Sequence, residues 1–465
     1  DLELFVVARQ QGFRNFVEMP VNIGERFSST VSLRSARNTL VDTFAIFFRL
    51  RILHFYERDL RGKPEATLLT PLSIPSLNSD SNNVSPITSS TGERKLRILI
   101  LNWRDVTHQH AGGAEVYTHN VASEWISEGH SVTLFCAATD RRPATENFEG
   151  IHIIRRGSRH GVYREAKRFY RREGRGNFDL VIDEVNTRPF GAPKWVDDVP
   201  VIALIHQVCR EIWSYETLLP VALIGRYVME PLWLRRYRDV PTVTVSESSK
   251  NSLELYGLTK VVVVPEGLHF VDERPAKPRE TRPTIVFVGR LAPNKRPDDA
   301  IRAFGLLRDT MPAAVLWVIG TGPMEDKLRV LAPEGVQFLG KISPSEKIER
   351  LARAHVLIAT SVREGWGLVV SEAAAVGTPT IAYNVAGLSD SVKASNGVLS
   401  APDPKNLSSV LLEFLATWLS EGLPDISPNG VIPWSRVAAR ILAIAANFNP
   451  TLKSFEPSNV QKEVL

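Results

Sequence analysis

The chain has 465 residues, 43% of them apolar and 23% charged, with a net charge of +5. These values are ordinary for a soluble globular protein and leave room for about three domains. They exclude a membrane-spanning helix, because no uncharged apolar run reaches the roughly 18 residues one needs. The two cysteines, Cys136 and Cys209, have no metal-ligating spacing and read as buried thiols on strands in a reducing cytoplasm.

In chain order, the opening "DLELFVVARQ" starts at Asp1 and enters apolar sequence without a basic leader or cleavage site. It is not a signal peptide, and the chain is expected to begin inside a larger protein. "LVDTFAIFFRLRILHFY" (Leu40–Tyr56), broken by Asp42, Arg49 and Arg51, fits a buried core helix or a helix lying in a membrane interface. Residues 64–94, rich in Ser, Thr, Pro and Asn without periodicity, form a linker.

Strand, turn and helix then alternate. "LRILILN" is a buried strand, followed by "AGGAEVYTHNVASEWISEG", a helix with Val116, Val121, Ala122, Trp125 and Ile126 on one face and Gly129 as its stop. "SVTLFC", "DLVID", "VIALIH" and "TVTVS" continue as short strands. Residues 155–176, "RRGSRHGVYREAKRFYRREGRG", carry nine Arg or Lys against Glu165 and Glu173, a surplus of seven that leaves the rest of the chain near −2. Val162, Tyr163, Ala166, Phe169 and Tyr170 recur there at helical spacing. This basic amphipathic helix is a solvated face, or it meets an anionic lipid surface or a phosphate-bearing acceptor. Nucleic acid is not expected, since no recognition motif accompanies the charge. After a Pro-rich hinge, "DERPAKPRETRP" (Asp272–Pro283), a second series begins: "TIVFVGR", "AVLWVIG", "VQFLG", "HVLIAT" and "TIAYN". Continuous apolar strands suit parallel sheets covered on both faces, so two doubly wound α/β domains are expected to face a cleft.

Ligands of such sheets bind beyond the carboxyl ends of the strands, and four turns there carry chemistry. In "HQHAGGAE", Gly112 and Gly113 open a helix whose start can approach an anion. His108 and His110 in the same turn lack a third metal ligand. "VIALIHQ" puts His206 at a strand end facing the cleft. "FVGRLAPNKRPDD" offers Arg290 as a planar fork and Lys295 as a point charge, a pair suited to a diphosphate. "SVREGWGLVVSEAAAVG" places Glu364 at a strand end and Glu372 in the next helix, where both can accept hydrogen bonds from sugar or ribose hydroxyls. Gly365 and Gly367 would let backbone approach a ligand.

Arg290-x4-Lys295 followed by Glu364-x7-Glu372 on this frame resembles the retaining family-4 glycosyltransferases of the GT-B fold, over about residues 96–450. The resemblance implies two Rossmann-like domains and a hexosyltransferase acting on a nucleoside-diphosphate sugar with retention of configuration, in surface glycan, glycolipid or polysaccharide synthesis. It implies that Arg290 and Lys295 bind the diphosphate, Glu372 the ribose, and Glu364 and His206 the transferred sugar. Gly112 and Gly113 would approach the phosphates, and Gly365, Trp366, Gly367 and Leu368 complete the donor site. Trp366 stands where such enzymes often have Phe, and "VPEGLH" where they commonly read Pro-Asn-Gly, a departure without a clear catalytic consequence. No Asp-x-Asp motif occurs, so neither metal nor cofactor is expected.

"DLELFVVARQQGFRNFVEMPVNIGERFSSTVSLRS" is similar to the end of family-2 transferases of the polyprenyl-phosphate type. The expected organisation is therefore a short α/β fragment of that type (1–63), a linker (64–94), an acceptor-side domain (95–271), a hinge (272–283), a donor-side domain (284–450) and a tail (451–465). The enzyme is expected in the cytoplasm, peripheral at the inner face of the cell membrane, touching anionic lipid through residues 155–176. A paired-carboxylate hydrolase, a sugar-nucleotide epimerase of the same fold and a non-catalytic binding module are the competing readings.

Overall fold

Strand β1 (Arg97–Leu101) shows how the first half is built. Leu96, Ile98 and Ile100 enter one buried cluster, while Leu99 and Leu101 enter another on the opposite face. Such a strand must be covered on both sides, and each fully buried Leu or Ile contributes about 1.5–3 kcal/mol. A computed structural model describes residues 95–109, 111–139, 142–268, 278–421, 432–449 and 452. The expected fragment 1–63 with its Leu40–Tyr56 helix, the whole linker 64–94, His110, half of the hinge and nearly all of the tail lie outside these residues.

The first sheet comprises β1, β2 (Ser131–Cys136), β3 (Thr145–Phe148), β4 (Ile151–Arg155), β5 (Leu180–Glu184), β6 (Val201–Leu204), β7 (Thr242–Thr244) and β8 (Val261–Val263). Its order is β3-β4-β2-β1-β5-β6-β7-β8, parallel except for β3. Helix α1 (Gly113–Ser127) buries Tyr117, Val121, Ala122 and Trp125 against it, and Gly129 ends the helix at φ 88°. Val116, expected on the inner face, is exposed, and Tyr117 takes that place. Helix α2 (Val162–Phe169) is the basic helix. Its apolar residues Val162, Ala166 and Phe169, with Tyr170 just beyond its end, pack under the sheet with Leu99 and Phe135, and Arg156, Arg168 and Arg175 pair with Glu173, Glu165 and Asp197. Cys136 ends β2 as expected, whereas Cys209 lies in the turn after β6 rather than on a strand; both are buried and free. Between β6 and β7, helices α3 (Leu219–Ile224) and α4 (Glu230–Leu234) flank a π turn, Gly225–Met229.

A short strand β9 (Gly267–Leu268) precedes the second sheet, formed by β10 (Thr284–Val288), β11 (Val315–Ile319), β12 (Val336–Gly340), β13 (Val356–Ala359), β14 (Thr380–Tyr383) and β15 (Val398–Ser400). These run all parallel in the order β12-β11-β10-β13-β14-β15. Helices α5 (Pro297–Arg308), α6 (Pro344–Arg353), α7 (Leu368–Ala375) and α8 (Leu388–Ala394) cover it. Strand order reverses between β1 and β5 in one sheet and between β10 and β13 in the other, the two points where such folds take ligands.

The last stretch crosses back. Strand β16 (Ile432–Pro433) pairs with β9, and helix α9 (Trp434–Phe448) packs in the core of the first half, where Trp125 Nε1 donates to the Ala438 carbonyl at 3.1 Å. The range 284–450 expected for the second domain thus contains a helix that belongs with the first. Its apolar residues encircle the axis, so it needs cover on all sides, and α1 supplies part of it.

Candidate active site

Turns at the carboxyl ends of the two sheets meet. Gly365, in the turn after β13, lies against the His206 backbone at the end of β6: a Cβ there would come within 2.9 Å of the His206 carbonyl oxygen. Gly387, at φ 83°, is as tightly placed, since its Cβ would sit 2.0 Å from the Glu364 carbonyl oxygen. The close approach that Gly365 permits is therefore to protein. Polar links span the same seam. Arg363 Nε donates to Glu211 Oε2 at 2.9 Å, and the Gly387 amide donates to Ser248 Oγ at 2.8 Å.

From the second half, Lys295 sits in a tight turn, Pro293–Lys295, whose Lys295 carbonyl accepts from Thr360 Oγ1 at 2.9 Å. Its ammonium is ion-paired with Glu364 Oε1, which also accepts from Ser361 Oγ at 2.6 Å. Glu372, one turn into α7, is paired at 2.6 Å with Lys347 of α6. Sequence reasoning missed Lys347; it lies on another helix, 25 residues away. Arg290 is exposed just past the end of β10 and makes no ion pair among the described residues. Trp366 is buried in the core shared with the first half and donates through Nε1 to Ser371 Oγ at 2.9 Å. It fills the seam instead of offering an open face, and Gly367 caps α7 at φ 99°.

From the first half, Gly112 and Gly113 stand at the start of α1, with Gly113 facing Leu368 across the seam. The Gly112 amide already donates to an anion, Glu115 Oε2 at 2.6 Å, and Arg104 Nε donates to the same carboxylate at 2.8 Å. The next amides, of Gly113 and Ala114, belong to the first helical turn, whose N–H groups have no intrahelical acceptor.

His206 is buried between two acids. Its Nε2 is 3.7 Å from Glu184 Oε1 and its Nδ1 3.5 Å from Glu266 Oε1, ion-pair rather than hydrogen-bond distances. The Tyr117 ring meets it edge-on with centroids 4.8 Å apart. Glu184 is anchored through its other oxygen by Asn102 Nδ2 at 2.7 Å and Thr118 Oγ1 at 2.5 Å. Burial disfavours a charged ring, but the two carboxylates outweigh it and pull His206 up to about 9. Burial pushes both carboxyls up as well, and Glu266 is pushed further by Glu364 and Glu372, which places it within electrostatic reach of the other pair. The Tyr117 hydroxyl, both His206 nitrogens, Glu184 Oε1 and Glu266 Oε2 are buried without hydrogen-bond partners, an unusual concentration of unmet polar atoms. Glu266 is the residue that departs from Pro-Asn-Gly, and the structure puts that departure directly beneath His206. Among the described residues no group of three or more His, Cys, Asp or Glu is arranged to hold a metal ion.

Comparison with known proteins meets this geometry. Residues 111–270 match Glycosyltransferase Family 4, and residues 271–423 match Glycosyl transferases group 1. The chain belongs to the glycosyltransferases of the GT-B fold. Enzymes of this group transfer hexosyl units with retention of anomeric configuration, and this chain is one of them. It is 27% identical over 351 residues to a glycogen synthase of Mycobacterium tuberculosis, covering 66% of this chain and 83% of the relative. It is 33% identical over 147 residues to a GDP-mannose-dependent monoacylated alpha-(1-6)-phosphatidylinositol monomannoside mannosyltransferase of Corynebacterium glutamicum, covering 29% and 39%. The structure of Anabaena HepE in complex with UDP-glucose superposes with a TM-score of 0.54 at 17% identity, over 77% of this chain and all of that one. That last likeness speaks to fold alone.

Proposed function

We propose that this glycosyltransferase moves a hexosyl unit from a nucleoside-diphosphate sugar to a lipid-linked or phosphate-bearing acceptor in the synthesis of a surface glycan or glycolipid. The observation that carries the reading is the Lys295–Glu364 pair at the second reversal point, with Arg290 exposed just past the end of β10, five residues before Lys295. Both members are partly exposed, so an entering ligand can exchange with either. In the proposed donor complex the diphosphate takes Lys295 and Arg290, and the freed Glu364 carboxylate accepts from the sugar hydroxyls. Lys347 holds Glu372 ready for the ribose. Charge building on the departing diphosphate is met by the two cations, the electrostatic role that fixed charges perform best in a site shielded from water. His206, kept protonated by its acid neighbours, adds a third positive group beneath the sugar. The GDP-mannose donor of the Corynebacterium glutamicum relative supports the donor class, and its phosphatidylinositol monomannoside acceptor supports a lipid-linked acceptor.

The test is transfer itself. Incubation with radiolabelled nucleotide sugars and a bacterial lipid extract should give a labelled lipid product together with free nucleoside diphosphate. An altered sugar still attached to its nucleotide would mark an epimerase, and no turnover with any donor would remove the proposal.

A further inference from the structure

The stretch "LLPVALIGRYVMEPLWLRRYR" (218–238) exposes a run of large apolar side chains: Leu218 is 80% exposed, Val221 51%, Ile224 53%, Met229 39% and Leu232 49%. Steps of three residues keep one face of a helix, but Ile224 to Met229 is a step of five. That step spans the π turn Gly225–Met229, whose wider turn absorbs the extra residue and returns Met229 to the same stripe. The opposite face is buried through Ala222, Tyr227, Leu234 and Tyr237. It is fixed from below, since the Glu230 carboxylate accepts from the amides of Cys209 at 2.5 Å and Arg210 at 3.0 Å, and the Trp213 ring fills the space a Gly225 Cβ would need.

Beyond Leu232 the stripe continues into Arg235, Arg236 and Arg238, all exposed and without an ion pair among the described residues. Within the segment the one acid, Glu230, is buried, and the exposed acids Glu216 and Asp239 flank its two ends. We propose that this helical face docks on an anionic bilayer, the apolar stripe entering the acyl boundary and the three arginines meeting lipid phosphates. A bilayer supplies both complements at once, whereas a second copy of the same face supplies apolar surface but no run of acids to meet the arginines. The neighbouring segment Trp213–Glu216 packs against the Pro293–Lys295 turn, so a docked enzyme presents the candidate site close to the membrane. The basic helix α2 cannot take this part, because its apolar face is already buried.

Sedimentation of the full chain with phosphatidylcholine vesicles, with and without phosphatidylglycerol, tests the surface independently of sugar transfer. The wild type should pellet with the anionic vesicles alone. Ile224→Ser/Leu232→Ser and Arg235→Glu/Arg236→Glu should each lower the bound fraction at least about ten-fold, while Arg171→Glu/Arg172→Glu on the basic helix should leave binding within about two-fold. The arginine variant changes exposed side chains only, and it decides the matter if the apolar variant does not fold. Absence of wild-type binding, or undiminished binding by the arginine variant, would overturn the proposal. So would a wild-type dimer that Ile224→Ser/Leu232→Ser converts to a monomer while vesicle binding persists.

Discussion

The two sides of the candidate site hold acids in opposite ways. On the second half, Glu364 and Glu372 are partly exposed and each is ion-paired with a lysine, Lys295 or Lys347. On the first half, Glu184 and Glu266 are buried against one histidine and keep oxygens without hydrogen-bond partners. Partly exposed pairs add little to stability, roughly 0.2–1 kcal/mol, and trade partners readily. Buried groups are costly to leave unpaired and act by setting charge. The contrast assigns ligand exchange to one wall and a fixed electrostatic background to the other.

Substitutions can break or sharpen that division. The largest effect is expected from Glu364→Gln, which should lower transfer about 100-fold or more, the loss typical of removing one group aligned with the reacting centre. Calorimetric binding of the donor nucleotide should survive it; unchanged turnover would remove Glu364 from the sugar. Next, Lys347→Ala should weaken nucleotide affinity about three- to ten-fold while the thermal midpoint barely moves, because a half-exposed pair contributes under about 1 kcal/mol to folding. A large drop in midpoint would make the Lys347–Glu372 pair structural.

The smallest effect, and the one particular to the first wall, is on pH dependence. His206 is raised from 6.5 to about 9 in the folded state, so its charged form stabilises the fold fully below pH 6.5, and that contribution is lost as pH rises through 9. Glu266→Gln removes one of the two acids holding the proton, so the loss should move to lower pH. Thermal midpoints of both proteins across pH 6.5 to 9 would show it, and parallel curves would show that Glu266 does not hold the charge.

Much of this was legible in the sequence. Apolar runs such as "LRILI" and "TIVFV" are long enough to name a doubly buried strand, and turns after such strands fix where Arg290, Lys295, Glu364 and His206 must emerge. What pairs with those residues was not legible. Lys347 reaches Glu372 from a different helix, and Glu266 reaches His206 from the turn after β8; neither spacing leaves a local trace. The all-round apolar character of α9 announced burial but not which sheet would bury it. Charge drew attention to residues 155–176, where the fold consumes the apolar face, and away from 218–238, whose apolar run reads as core until its outer face is seen to be uncovered.

Calorimetric titration of nucleoside-diphosphate sugars into the wild type and Lys295→Ala tests the exchange at the Lys295–Glu364 pair most directly. The account predicts saturable binding of at least one donor to the wild type and about ten- to 100-fold weaker binding to the variant, the loss of one charge-assisted contact to phosphate. Equal affinity in the two proteins, or no binding of any nucleotide sugar to the wild type, would contradict it.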